Sequence, residues 1–161
     1  MGVEVLTFGC RLNGAEGETI RRRAAAAGLG DLVVVNGCAV TAAASRDSAA
    51  AIRRAARERP GARIVATGCA AQTDPARFAT MPEVAHVLGN DAKLDPAVWT
   101  RLAAGTQPRI ALDRPDALRG TPAAASSDAS AGRVRAFVAV QTGCDHACTF
   151  CTIPLGRGPS R

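Results

Sequence analysis

The chain has 161 residues, enough for one ordinary domain and part of a second. Its formal net charge is +6, and Lys93 is the only lysine, so the positive charge is almost all arginine. No apolar run approaches the ~20 residues of a membrane span, and residues 2–8 are too short and too acidic for an export signal, which excludes a membrane partner. Six cysteines in such a chain are expected to sit in a reducing cytoplasm and to serve metal, not disulfides. Aromatics make up 3% of the residues, with one Trp and no Tyr, so no aromatic platform for stacking bases is evident. Arginine forks suit phosphate, which makes nucleic acid a candidate partner; an Ala- and Arg-rich genome explains the same bias.

Residues 3–8 are β-branched and aromatic and read as a first strand, running into Gly9-Cys10. Asn13 then opens a helix with Glu16 and Glu18 in its first turns and Arg21 to Arg23 later, in the sense that suits the helix dipole; the two glutamates suit equally a helix end capped near a metal cluster. It stops at Gly28-Leu29-Gly30. Residues 31–36 are a short apolar run of the kind expected in a buried parallel strand, and run into Gly37-Cys38. Thr41 begins a long Ala/Arg helix that must end before Pro60-Gly61, and Arg46, Arg53 and Arg57 fall on one face of it. That face suits an RNA backbone or plain solvent equally well. Residues 62–67 are a third strand, running into Gly68-Cys69. Asp74-Pro75 and Asp95-Pro96 each supply an N-cap followed by proline at the first helical position, with a fourth strand over 84–88 between them.

Strand, Gly-Cys, helix therefore occurs three times. In a parallel α/β sheet the crevice beyond the carboxyl ends of the strands binds ligands, so Cys10, Cys38 and Cys69 are expected at one edge as a second three-cysteine metal site. Three buried core cysteines are the bland alternative, and it explains poorly why each follows glycine at the same topological point. From 106 to 132 the pattern breaks into a Pro/Gly/Ser/Ala-rich loop and linker. Residues 134–141 then read as the first strand of a second domain, leading into Cys144, Cys148 and Cys151, spaced C-x3-C-x2-C. Three thiolates on one loop hold an iron–sulfur cluster with one iron left open; a zinc knuckle with His146 as fourth ligand is the alternative.

The C-x3-C-x2-C loop with Phe150 before its last cysteine resembles the cluster loop of radical S-adenosylmethionine (SAM) enzymes. Thr7-Phe-Gly-Cys-Arg-Leu-Asn13 with Glu16, Val35-Asn-Gly-Cys-Ala-Val-Thr41, Thr67-Gly-Cys-Ala-Ala-Gln72, and Gly143 through Pro154 with Arg157-Gly158 extend the resemblance along the whole chain to the methylthiotransferases. The resemblance implies an auxiliary [4Fe-4S] cluster on Cys10, Cys38 and Cys69 and a radical-SAM [4Fe-4S] cluster on Cys144, Cys148 and Cys151. It also implies Phe150 beside the SAM adenine. One SAM would methylate sulfur at the auxiliary cluster, and a second would be cleaved to a 5′-deoxyadenosyl radical that takes hydrogen from the substrate carbon. The implied fold is α/β: a Rossmann-like parallel-sheet domain over 1–105, a linker over 106–132, and the start of a radical-SAM (β/α) barrel over 133–161. A barrel needs roughly 200 residues, so the chain is expected to be an N-terminal fragment, inactive alone.

Three substrate classes go with the resemblance: threonylcarbamoyladenosine in the tRNA anticodon loop, isopentenyladenosine in tRNA, and an aspartate of a ribosomal protein. The Cys38-Ala-Val-Thr41 and Ile153-Pro-Leu-Gly-Arg-Gly-Pro-Ser-Arg161 segments look most like the threonylcarbamoyladenosine type, methylthiolated at C2. Expected partners are tRNA, an electron donor and a sulfur source, with the protein itself a cytoplasmic monomer. A non-catalytic metal-binding α/β module is the alternative from another class. Two departures stand out: Gly14-Ala15 replaces a more usual small-aromatic pair. Gly37 stands where the family usually has Thr, which is expected to loosen the loop beside the auxiliary cluster. Arg157 has the place of a site residue without an evident target.

Overall fold

The computed structural model describes residues 2–114 and 139–161. Five parallel strands lie side by side in sequence order: β1 (Val3–Thr7), β2 (Leu32–Gly37), β3 (Arg63–Gly68), β4 (His86–Leu88) and β5 (Ile110–Ala111). The helices are α1 (Arg11–Ala26), α2 (Ala42–Glu58), α3 (Cys69–Thr73), α4 (Pro75–Ala79), α5 (Pro96–Ala103) and α6 (Ile153–Arg157), with a 3-10 turn over Ala92–Leu94. The parallel α/β fold expected from the sequence is present. No helix among the described residues is long and apolar enough to cross a membrane.

β2 is buried at every position and β3 at all but Arg63, because helices cover both faces. The two-residue period of the strands divides their side chains between two cores. Val33, Val35, Ile64 and Ala66 face α2, with Ile52, Phe78 and Met81. Leu32, Val34 and Val65 face α1 and α5, with Ile20, Trp99 and Leu102. Alanines Ala49, Ala51 and Ala55 let α2 approach the sheet closely. Since β1, β2 and β3 advance in one direction while α1 and α2 lie on opposite faces, these two crossovers have opposite hands. One of them departs from the usual right-handed rule.

The expected caps form. Thr41 accepts the Ala44 N–H at 3.1 Å, Asp74 that of Arg77 at 3.3 Å, and Asp95 that of Ala97 at 2.9 Å. Three local expectations differ. α1 begins at Arg11 with Cys10 as its N-cap, two residues before Asn13. β5 occupies Ile110–Ala111, inside the segment read as loop and linker, and pairs with β4 through Val87↔Ile110 and Leu88↔Ala111. α3 begins at Cys69 itself, with no intervening loop. Of the strand expected over 134–141, residues 134–138 lie outside the described residues, as does most of the 106–132 linker, and residues 139–141 are not in a strand.

Candidate metal centre

Strand register brings the first three cysteines together. Thr7 pairs with Asn36, Asn36 with Thr67, and Gly37 with Gly68, so β2 and β3 end level and deliver Cys38 and Cys69 side by side. Phe8 extends β1 by donating its N–H to Asn36 O at 3.0 Å, and Gly9 then turns the chain to place Cys10 at the start of α1. The glycines before the cysteines have a packing reason. Gly9 has φ +87°, and a Cβ there would lie 2.3 Å from Cys38 Cβ. Gly68 has φ +90°, and its Cβ would lie 2.3 Å from Gly37 O. Only a bare backbone lets the three strand ends close up.

Gly37 is not a loose point. It is a paired residue of β2, and a Cβ there would stand 2.8 Å from Ser48 Oγ and 3.1 Å from Ala70 Cβ. Helix side chains already fill the space that a threonine would take, which corrects the expectation of a loosened loop.

Cys10, Cys38 and Cys69 line one cavity of about 250 Å³, completed by Thr142, Ile153 and Arg157 from the second cysteine segment. All six cysteines are free thiols. Cys38 is 4% exposed and its Sγ accepts the Val40 N–H at 3.5 Å; Cys69 Sγ accepts from Asn90 Nδ2, also at 3.5 Å. Among the described residues, no three His, Cys, Asp or Glu side chains are already drawn into a metal-binding group. Soft thiols around a cavity, with N–H groups aimed at their sulfurs, are nonetheless the donor set that an iron–sulfur or zinc–thiolate centre takes. The residues fit such a group.

The second motif is a loop closed at its neck. Thr142 and Arg161 exchange two backbone hydrogen bonds of 2.9 Å each, Cys144 N–H donates to Gly158 O at 3.1 Å, and Ser160 N–H donates to Asp145 Oδ1 at 2.9 Å. Cys144 and Cys151 are half-buried and Cys148 is exposed. An open cleft of about 620 Å³ runs beside Cys144, between Gln72, Thr73, Pro154 and Leu155. Phe150 is 89% exposed and His146 is exposed, and neither lines the cavity of Cys10, Cys38 and Cys69.

A buried ionic network joins the two motifs. Glu16, 3% exposed, receives Arg157 at 2.7 and 3.0 Å and Lys93 Nζ at 2.7 Å. Arg157 also donates to Asn13 Oδ1 at 2.8 Å. Lys93, fully buried, donates to Asn36 Oδ1 at 3.0 Å and Asn90 Oδ1 at 2.7 Å, and Asn90 donates to Gly156 O at 2.6 Å. Burial pushes the Glu16 carboxyl up, but Lys93 and Arg157 together outweigh it and hold it below the usual carboxylate range. Burial likewise works against the Arg157 guanidinium, and Glu16, followed by Cys69, holds it above its ordinary value. A second anchor, Arg161, donates to both Asp91 oxygens at 2.6 and 3.0 Å.

Of the two roles read for Glu16, a place at a helix end near a cluster and a match to the helix dipole, its burial against Arg157 favours the first; Glu18 keeps a surface role, paired with Arg21 at 2.5 Å. The signal was present. Asn13, Glu16, Ile20 and Ala24 recur every three or four residues and are all buried, so two polar side chains lie on an otherwise apolar stripe. Lys93, the one lysine, meets Glu16, and Arg157 meets both.

Residues 2–89, 88 of the 161, match the family described as "Uncharacterized protein family UPF0004". A threonylcarbamoyladenosine tRNA methylthiotransferase MtaB of Rickettsia prowazekii is 40% identical over 98% of this chain and 36% of its own length. A tRNA-2-methylthio-N(6)-dimethylallyladenosine synthase of Anaeromyxobacter dehalogenans is 33% identical over 97% of this chain and 36% of its own. A ribosomal protein uS12 methylthiotransferase RimO of Chloroflexus aurantiacus is 29% identical over all of this chain and 40% of its own. The chain thus spans little more than a third of the length of these relatives. With more than half of its residues inside the UPF0004 match, and relatives of three methylthiotransferase types aligned along its length, the chain belongs to the methylthiotransferase family.

Proposed function

We propose that this chain serves a radical-SAM methylthiotransferase acting on threonylcarbamoyladenosine in tRNA. Cys10, Cys38 and Cys69 hold one [4Fe-4S] cluster, and Cys144, Cys148 and Cys151 hold another with an iron open to SAM. The observation that carries the reading is the convergence of three Gly-Cys strand ends on one cavity, closed from the other side by the segment that follows Cys151. Bound there, the clusters supply the transferred sulfur and the electron that cleaves SAM.

The rest is done by the chain. Gly9 and Gly68 let the thiols approach, and the Val40 and Asn90 N–H groups orient the sulfurs of Cys38 and Cys69. Leu12, Val40 and Ile153 give the cavity an apolar wall beside the sulfurs. The cleft beside Cys144 is the space where SAM would reach the open iron, with Phe150 at the loop surface free to cover the adenine. Transfer RNA, an electron donor and a sulfur source are the partners this chemistry requires. The threonylcarbamoyladenosine substrate draws support from the 40% identical relative whose name carries it.

Mass analysis of nucleosides and ribosomal proteins from a strain lacking the gene tests the substrate. Loss of the 2-methylthio group from threonylcarbamoyladenosine alone is the expected result. Loss from isopentenyladenosine, or from the ribosomal-protein aspartate, would redirect the reading to that class. No change in any of the three would favour a non-catalytic metal-binding module.

A further inference from the structure

Arg157 belongs by sequence to the second cysteine motif, six positions after Cys151, yet its guanidinium lies in the cavity of the first. It is 7% exposed, so its donors are spent on protein. Both terminal nitrogens reach Glu16, one of them Asn13 and the other Thr142 Oγ1 at 3.4 Å, and the side chain lines the cavity together with Cys69. Gly156 packs α6 directly on Cys69: a Cβ there would be 3.4 Å from Cys69 Cβ and 3.5 Å from its Sγ. The single carboxylate of Glu16 is shared between Arg157 and Lys93. Asp113 accepts the Asp91 N–H at 2.7 Å and the Ala92 N–H at 3.2 Å, beside the turn that carries Lys93. The guanidinium is thus held rigidly by a shared counter-ion at the wall of the cavity that Cys69 also lines.

We propose that Arg157 is a positioning residue for the metal centre at Cys10, Cys38 and Cys69: clamped by Glu16, it fixes a positive charge in the cavity beside Cys69 and sets the reduction potential of that centre from the segment that follows the other one. The inference rests on the ligand assignment proposed above. Cluster potentials follow the hydrogen bonds to their sulfurs and the charge around them. Reduction adds one negative charge, so a fixed cation beside a ligating sulfur favours the reduced state. Docking of α6 against α1 then becomes a condition for the potential of the first site. The two cysteine sets are coupled through one side chain and not only through shared substrate.

The test is an anaerobic redox titration, followed by electron paramagnetic resonance, of the reconstituted full chain carrying Cys144→Ala, Cys148→Ala and Cys151→Ala. Dithionite is the reductant. Adding Arg157→Gln is expected to leave the cluster content unchanged and lower the potential. A tenfold loss in the reduction equilibrium is ~59 mV for one electron. Arg157→Lys, which keeps the charge and loses the fork, should restore part of that shift. Arg57→Gln, an exposed change of the same net charge on α2, should leave the potential where it was. If Arg157→Gln is unfolded by circular dichroism, the lysine variant carries the comparison with an intermediate potential expected. A potential unmoved in both Arg157 variants, with the cluster assembled, overturns the inference alone. A parent protein that assembles no cluster overturns the ligand assignment and the inference with it.

Discussion

Replacing Glu16 by glutamine removes one negative charge from a site that contains two buried cations and almost no solvent. Glu16 is 3% exposed and Lys93 fully buried, and the carboxylate meets Lys93 at 2.7 Å and Arg157 at 2.7 and 3.0 Å. Glutamine keeps the volume and most hydrogen bonds, so the change isolates the charge. Breaking a buried pair by neutralising one partner costs about 3–5 kcal/mol, because the other charge stays desolvated. Two cations are stranded here, which places the expected loss in the upper part of that range. Against a total stability of roughly 5–15 kcal/mol this is a large fraction. Urea unfolding followed by circular dichroism should show a lower midpoint with an unchanged slope. The thermal midpoint should fall by roughly 6–20 °C, at ~2–4 °C per kcal/mol for a chain of this size.

The pH dependence provides a second check with a definite sign. Glu16 has a folded pKa below its ordinary value of 4.5. Its contribution is therefore fully present above about 4.5 and is lost as pH falls through the depressed folded value. The gap between wild type and Glu16→Gln should be constant near neutrality and close only in acid. Added salt should scarcely change it, since the pair is shielded from ions. A cost below about 1 kcal/mol at neutral pH, or a gap that does not narrow in acid, would refute the claim that this network joins the two motifs.

Other substitutions probe the frame of the site. Gly68→Ala forces a side chain into φ +90° and against Gly37 O, so iron content should drop along with stability, by about 1–3 kcal/mol, read by iron assay and urea midpoint. Gly37→Thr should cost about 1–3 kcal/mol by overpacking against Ser48 and Ala70, and Ser48→Gly in the same chain should recover part of it. Thr41→Ala should cost about 1 kcal/mol through loss of the cap on the Ala44 N–H, with iron content unchanged.

The parts of the fold legible in the sequence are those that local chemistry determines. β2 and β3 are continuous apolar runs because both faces are covered, and Thr41, Asp74 and Asp95 announce helix starts by the oxygens they offer to free N–H groups. Repetition of Gly-Cys after three strands points to the cavity that Cys10, Cys38 and Cys69 line. What escaped is non-local or too short to carry a period. β5 is two residues long beside Pro108, with no pattern to read. Glu16 and Arg157 are 141 positions apart, and no local rule pairs them. Glu16 also satisfied a local explanation, the helix dipole, which hid the stronger demand of burial. Its position on the Asn13–Ile20–Ala24 stripe was the discriminating clue.

The most direct test of the account is a count of iron and acid-labile sulfide in the anaerobically reconstituted chain, with each cysteine set replaced in turn. Two [4Fe-4S] clusters are expected in the parent. One should remain after Cys144, Cys148 and Cys151 become alanine, and one after Cys10, Cys38 and Cys69 do. Stoichiometric zinc without labile sulfide, or the loss of both clusters from a triple variant that is still folded, would contradict two separate three-cysteine sites.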